Sequence, residues 1–291
     1  MPRELRYNPL LNEWVIYSND RENRPLFPRE CPFCGIKDTP LSIENKYPSL
    51  GSEPVVSKHG KKAPGRCEVL IYSGDHNSRL AIMDLKDVTK VVELWKERYR
   101  ELSTIYKTIY IFENRGEEIG ITLNHPHGQI YAMNFYPPIL LSERRRYREH
   151  MRKSERCFFC DMLEEEGEKN LRIIEKNEDF VSLIPYFARW SFETHIYPKE
   201  HVSDILCLNS ASLASILRRS LRRLEGVGKS YVLCLHQFKK DFHFHIEIYP
   251  AYASKGRIKY RGGVETGAGT FINSMFPEES AKLLSGVEMV D

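Results

Sequence analysis

The sequence lacks any apolar run of the roughly 20 residues that a membrane-spanning helix needs, and it lacks an excess of one charge. Its 291 residues include 43 Lys and Arg against 40 Asp and Glu, a formal net charge of +3. So balanced a charge disfavours a nucleic-acid binder that depends on electrostatic attraction. The opening residues MPRELRYNPL have no apolar segment of a signal peptide. We therefore expect a cytoplasmic protein that binds neither membranes nor nucleic acid.

Two common phosphate-binding motifs are also missing. The chain contains no G-x-x-x-x-G-K-[ST] segment, and no G-x-G-x-x-G segment follows a predicted strand. Walker-type and Rossmann-type nucleotide binding therefore have no support in the sequence. With 41% hydrophobic residues, a chain of this length buries a large core and predicts two domains.

The sequence contains seven cysteines. An odd count in a sequence without a recognisable export signal argues against a disulfide framework. Four of them form two C-x-x-C pairs, Cys31 with Cys34 and Cys157 with Cys160. The other three are expected to be ordinary core or near-core residues: Cys67, Cys207 and Cys234.

The two cysteine pairs mark an internal repeat, which is the first feature to look for in a sequence. A strand-like segment ending in a histidine follows each pair; His76 lies 42 positions after Cys34, and His201 lies 41 positions after Cys160. An H-x-H motif then opens another alternating strand in each half. These motifs are His125-Pro-His127 and His243-Phe-His245.

The order of predicted elements within each half is strand, helix, strand and then the H-x-H strand. This order predicts an α+β fold made of a duplicated unit, with antiparallel sheets, packed helices and one continuous sheet shared by the two halves. We place the repeats at residues 1–150 and 151–291. The charged segment 142–168 is interpreted as one helix that links them.

Two cysteines and two histidines per half match the donor set of tetrahedral zinc. The first predicted site is Cys31, Cys34, His76 and His125, and the second is Cys157, Cys160, His201 and His243. Four protein ligands leave no open position, which indicates structural sites. The alternatives are buried thiols in a turn, a redox C-x-x-C, and at the second site a carboxylate and imidazole cluster of Glu143, His236, His243 and His245.

The second histidine of the first H-x-H motif is a candidate nucleophile. Residues i and i+2 of a strand share a face, so His127 can lie beside a metal-bound His125 with its own imidazole free. The alternative is that His127 is a third ligand or a structural histidine. Polar groups nearby suit the charge that develops in phosphoryl transfer. They are the loop 114–120, Thr122, Gly128 and Gln129.

The segments FENRGEEIG (112–120) and NHPHGQIYA (124–132) resemble the active-site signature of the galactose-1-phosphate uridylyltransferase family, a branch of the histidine-triad superfamily. Further matches follow in the family's order along nearly the whole chain. They are RYNPL (6–10), Trp14, Arg21, Arg24-Pro25, CPFC (31–34), NKYP (45–48), Asp75-His76 and GVETGAGTFIN (263–273).

The resemblance implies a ping-pong transfer in which His127 attacks the α-phosphorus of UDP-glucose, holds UMP, and passes it to galactose 1-phosphate. Catalytic roles then fall to His127 and Gln129. The implied substrate-binding residues are Arg21, Arg24, Asn45, Asn114, Thr122, Gln129, Lys259 and Glu265. The resemblance also implies a homodimer with composite active sites. Four of these residues lie where the family contributes side chains to the partner subunit's site: Arg21, Arg24, Lys259 and Glu265. Thr122 stands where the family often has serine, and Asn124 where it has proline.

The resemblance leaves three alternatives open. Glu143, His236, His243 and His245 match positions that bind iron in members without the second cysteine pair, whereas relatives with both pairs bind two zinc ions per chain. An ADP-glucose phosphorylase, which transfers AMP through the same histidine, has a C-terminal segment similar to residues 263–273 of this sequence. A zinc-stabilised nucleotide-binding protein without turnover is the third alternative.

Overall fold

The computed structural model describes residues 2–25, 28–52, 55–254 and 257–288. Its described strands are β1 Arg3–Asn8, β2 Glu13–Ser18, β3 Leu41–Glu44, β4 Lys61–Lys62, β5 Gly65–Ile71, β6 Thr108–Arg115, β7 His127–Met133, β8 Ile173–Lys176, β9 Phe180–Leu183, β10 Thr194–Pro198, β11 Tyr231–His236, β12 His245–Pro250, β13 Tyr252–Ser254 and β14 Arg257–Ile258. The described helices are α1 Leu85–Ser103, α2 Pro138–Ser154, α3 Phe158–Lys169, α4 Ser210–Leu224, α5 Gly263–Ala268 and α6 Pro277–Ser285.

One antiparallel sheet of nine strands runs through both halves, in the order β3-β5-β7-β6-β11-β12-β10-β9-β8. The first repeat supplies β3-β5-β7-β6, and the second supplies the same series reversed, β11-β12-β10-β9. The two halves meet where β6 pairs with β11, with Val232 opposite Asn114 and Cys234 opposite Phe112. The duplicated α+β fold and its continuous sheet are therefore confirmed.

Along the chain, helix α1 lies between β5 and the seam strand β6, and helix α4 lies between β10 and the seam strand β11. The two helices therefore occupy equivalent places in the two repeats. Helix α1 buries residues at helical spacing, among them Val88, Val92, Trp95, Tyr99 and Leu102. Helix α4 does the same with its own apolar stripe, and the two helices contact each other. One buried core contains residues of both repeats, so the halves share their apolar interior.

The predicted linking helix over 142–168 is wrong as a single element. Helix α2 ends at Ser154, Glu155 adopts a left-handed φ of 58°, and α3 begins at Phe158. The break changes the direction of the chain immediately before the second cysteine pair, and it brings Cys157 Sγ to 3.8 Å from His243 Nδ1. The boundary at residue 150 falls within α2 and stays a prediction.

The cysteines outside the pairs differ from one another. Cys67 and Cys234 are buried, as expected, but Cys207 is exposed in a 3₁₀ turn, so its expected place in or near the core is wrong. None of the helices in the described part of the chain combines the length and apolar character that crossing a membrane requires.

Candidate functional site

The four ligands predicted for the first metal site lie together beside the ends of β5 and β7. Their ligand atoms all lie within 4.8 Å of one another. Cys34 Sγ is 3.3 Å from His76 Nδ1, and Cys31 Sγ is 3.6 Å from His125 Nδ1. A sulfur and a nitrogen bound to one tetrahedral zinc, with Zn–S and Zn–N bonds of about 2.3 and 2.0 Å, are about 3.5 Å apart. The spacing therefore fits a tetrahedral cation.

The second cysteine pair forms an equivalent group with His201 and His243, again within 4.8 Å. Cys160 Sγ lies 3.6 Å from the Nδ1 atoms of both histidines. His243 Nε2 is 3.0 Å from the Pro198 carbonyl, as His125 Nε2 is 2.6 Å from the Ser73 carbonyl. A carbonyl only accepts, so each Nε2 carries the proton and each Nδ1 presents its lone pair to the sulfur atoms.

Three thiols of these groups have raised pKa values: Cys34, Cys157 and Cys160. Burial and the adjacent Cys157 raise the pKa of Cys160 to about 12. A hydrogen bond with Cys31 raises the pKa of Cys34. A bound cation reverses this effect, because it stabilises the thiolate form that coordinates it.

His127 opens β7 two residues after His125, with its side chain 7% exposed. Its Nδ1 lies 2.7 Å from the His125 carbonyl and must donate to it, which leaves Nε2 as the ring nitrogen with a lone pair. Burial, together with the charge of Arg24, lowers the pKa of His127 to about 4. The imidazole is therefore neutral at pH 7 and needs no separate base to act as a nucleophile.

A cavity of about 270 Å³ lies in front of His127. Four further residues of the predicted site line it with His127: Arg24, Asn45, Thr122 and Gln129. Arg24 thus faces the cavity of its own chain.

Residues that were not predicted also line this cavity, among them Phe33, Tyr47 and Leu123. The ring of Phe33 stands edge-on to that of His127 at 5.8 Å. The sequence offers one indication of Phe33, which is its position between Cys31 and Cys34.

Gly128 is required by close packing behind the reactive strand. A Cβ atom at this position would lie 2.1 Å from the Tyr72 hydroxyl. Tyr72 also donates its backbone N–H to the Pro126 carbonyl at 3.1 Å. The glycine therefore lets the tyrosine support the strand from the face opposite His127 and Gln129.

The carboxylate and imidazole alternative at the second site is resolved into a separate, neighbouring group. Glu143, His236, His245 and Glu247 hold their ligand atoms within 4.8 Å of one another, whereas His243 belongs to the cysteine group. His236 Nδ1 is 2.9 Å from Glu143 Oε2. Although burial alone would lower the pKa of His236, Glu143 and Glu247 raise it well above its usual range. Glu247 was not predicted.

Strand register shows that this group is the second-half counterpart of the His127 cavity. On β6 and β7, Phe112 is opposite Gln129, and on β11 and β12, Cys234 is opposite Glu247. The equivalent positions are therefore Gln129 and Glu247, His127 and His245, and Asn114 and His236. His245 Nδ1 lies 3.0 Å from the His243 carbonyl, as in the first half. Two amides are replaced by a carboxylate and an imidazole, which favours a cation over a phosphate.

The remaining predicted substrate-binding residues do not line the cavity of His127. Asn114 is half-buried on β6, and Arg21 donates to Ser49 and Tyr131. Lys259 donates to Glu265 at 2.7 Å, and Lys259 lines a different cavity, at the seam between the repeats. The hydrogen bonds of Glu265 with Lys259 and with backbone amides lower its pKa to about 2.

Known proteins resemble this chain along its whole length. A family model described as galactose-1-phosphate uridyl transferase, N-terminal domain, matches residues 41–137. A galactose-1-phosphate uridylyltransferase of Thermotoga maritima is 39% identical, with 98% of this chain and 99% of the relative covered. An ADP-glucose phosphorylase of Arabidopsis thaliana is 25% identical, with 98% of this chain and 93% of the relative covered.

A solved structure of a uridylyltransferase superimposes with a TM-score of 0.88 at 29% identity, covering 97% of each chain. The likeness thus extends over both repeats and the shared sheet, and it includes the segment that carries His127. On this evidence the chain belongs to the galactose-1-phosphate uridylyltransferase family.

Proposed function

We propose that this protein transfers UMP from UDP-glucose to galactose 1-phosphate through a covalent uridylyl-histidine at His127, as part of galactose metabolism. The observation that carries the proposal is the state of His127, which is a neutral imidazole with Nδ1 bound to a carbonyl and Nε2 left free beside a cavity. The 39% identity with the Thermotoga maritima enzyme favours uridine over the adenine nucleotide of the more weakly similar phosphorylase.

The transfer proceeds in two displacements at the α-phosphorus. Nε2 of His127 forms a P–N bond as the P–O bond to glucose 1-phosphate breaks. A phosphate oxygen of galactose 1-phosphate then attacks the same phosphorus, the P–N bond breaks, and the imidazole returns to its neutral form. The side chains of Gln129 and Thr122 and the charge of Arg24 line the space in which the phosphoryl oxygens gain charge.

The two cysteine and histidine groups are proposed as zinc sites, because their donor types and spacing fit tetrahedral zinc. Zinc there would fix the loops that carry Cys31 and Cys157 and hold His125 and His243 in place. The group of Glu143, His236, His245 and Glu247 has the donors of a harder cation such as iron.

A homodimer with composite active sites and a cytoplasmic location stay predictions. In their own chain, Lys259 and Glu265 pair with each other away from the His127 cavity. This placement is consistent with a role at the site of a second copy.

The proposal is tested by intact-mass spectrometry after incubation with UDP-glucose. We expect a gain of one UMP in the wild type, its loss on adding galactose 1-phosphate with formation of UDP-galactose, and no gain in His127→Gln. His59→Gln, at an exposed histidine, is the matched control and keeps the adduct. An AMP adduct from ADP-glucose without a UMP adduct, or an adduct that survives in His127→Gln, would contradict the proposal.

A further inference from the structure

Tyr131 joins the reactive strand to the turn that carries the two arginines of the predicted site. It lies on β7 two residues beyond Gln129, so its side chain shares a face of the sheet with Gln129. Its hydroxyl accepts a hydrogen bond from Arg21 Nη1 at 2.8 Å and lies 3.1 Å from Ser49 Oγ. Arg21 Nη1 also donates to Ser49 Oγ at 3.1 Å. Two neutral hydroxyls therefore hold this guanidinium.

The turn places like charges close together. The backbone N–H of Arg24 donates to the Arg21 carbonyl at 3.2 Å. Burial and the charge of Arg21 lower the pKa of Arg24. Within the part of the chain that the structure describes, no carboxylate forms an ion pair with Arg21 or Arg24. The repulsion between the two guanidinium groups is therefore opposed by the hydroxyls of Tyr131 and Ser49 and not by a carboxylate. The positive charge of the arginines stays available to an anionic ligand.

We propose that Tyr131 is a positioning residue for the nucleotide phosphates. Through Arg21 and Ser49, its hydroxyl fixes the turn so that Arg24 faces the cavity of His127. This inference rests on the proposed function. Neither Tyr131 nor Ser49 lines that cavity, so neither touches the reacting atoms. Both act on substrate binding through the arginines that they position.

The test compares the KM for UDP-glucose with kcat. Tyr131→Phe removes the hydroxyl and keeps the ring, which packs edge-on against Phe112 at 5.3 Å. We expect KM to rise roughly tenfold, the effect of one lost hydrogen bond to a charged group, while kcat and Tm stay near the wild-type values. Ser49→Ala shifts KM in the same direction. Tyr7→Phe is the control, since it removes a hydroxyl that hydrogen-bonds Asn12 in the β1–β2 hairpin.

A double-variant comparison separates positioning from general stabilisation. If Tyr131 acts through Arg21, the KM of Arg21→Gln with Tyr131→Phe equals that of Arg21→Gln alone. Losses that multiply, or a wild-type KM in Tyr131→Phe, would overturn the inference. If the wild type forms the UMP adduct and Tyr131→Phe leaves KM unchanged, only this inference fails. If the wild type forms no adduct, the proposed function fails with it.

Discussion

Glu113 is a buried carboxyl on β6, which lies in the sheet between β7, the strand that carries His127, and β11, the strand of the second repeat at the seam. Its side chain is 1% exposed, and its Oε1 accepts a hydrogen bond from the Tyr231 hydroxyl at 3.2 Å. Its Oε2 is buried without a partner. Burial raises the pKa of Glu113 to about 7, although Arg115 and Tyr231 oppose the shift. The folded protein therefore holds this carboxyl protonated at a pH where the unfolded chain has released the proton.

Glu113 makes stability fall as pH rises from about 4.5 to about 7. The unfolded chain binds fewer protons than the folded chain in this window, so the free energy of unfolding decreases by about 3 kcal/mol across it, at about 1.4 kcal/mol per pH unit. We expect Glu113→Gln to remove this component from urea unfolding measured between pH 4.5 and 8. Glu117→Gln, at an exposed carboxylate of the next turn, leaves the slope intact. Parallel curves for Glu113→Gln and the wild type would refute the assignment.

At the residue scale, sequence spacing identifies candidate metal ligands more readily than it identifies residues whose roles depend on cross-strand neighbours. The eight cysteine and histidine ligands were predicted because donor type and spacing repeat along the chain, and the structure brings each set together. Glu247 and Tyr131 were missed because each depends on cross-strand neighbours. Only the register of β11 with β12 shows that Glu247 occupies the place of Gln129.

At the element scale, the first cysteine pair connects a loop to two strands, and the second pair connects the start of α3 to two strands. Cys31 and Cys34 lie in a loop before β3, yet their partners His76 and His125 follow β5 and precede β7. Alternating residues predicted the H-x-H strands, because those residues face opposite sides of a sheet. The predicted linking helix did not include the break between α2 and α3, which places Cys157 beside His243, a residue 86 positions away.

Losing one cysteine of either group should remove one bound cation per chain and lower Tm, because a structural metal contributes its binding free energy to folding. We expect Cys31→Ser and Cys157→Ser each to contain one zinc fewer than the wild type by elemental analysis. Cys31→Ser should also slow formation of the UMP adduct, since it frees His125 beside the nucleophile. Cys157→Ser should keep the adduct.

Cys207→Ser is the matched control for these variants, because Cys207 is exposed and belongs to neither group. It should keep the wild-type metal content and Tm. Equal metal content in Cys31→Ser and the wild type would show that the first group holds no cation.

At the scale of the whole molecule, duplication produced one structural unit. The length alone predicts two domains, but β6 pairs with β11 across the seam, and a single core contains Leu70 and Trp95 of the first repeat with Ile196 and Leu217 of the second. Helices α1 and α4 are also joined by Lys96, whose Nζ donates to Ser210 Oγ at 3.2 Å. One repeat cannot unfold without exposing the apolar surface of the other.

The two repeats should therefore unfold in one cooperative transition, and tryptophan fluorescence can follow each of them. Trp95 is buried in α1 of the first repeat, and Trp190 lies between β9 and β10 of the second. Both variants also carry Trp14→Phe, so that one tryptophan remains in each. The variant with Trp190→Phe keeps Trp95 and reports the first repeat. The variant with Trp95→Phe keeps Trp190 and reports the second repeat. We expect the urea midpoint from fluorescence to match the midpoint from circular dichroism within each variant, since loss of either repeat breaks the shared sheet. A fluorescence midpoint that differs from that of circular dichroism in either variant would mean that the repeats are separate folding units, joined only by the chain and the seam strands.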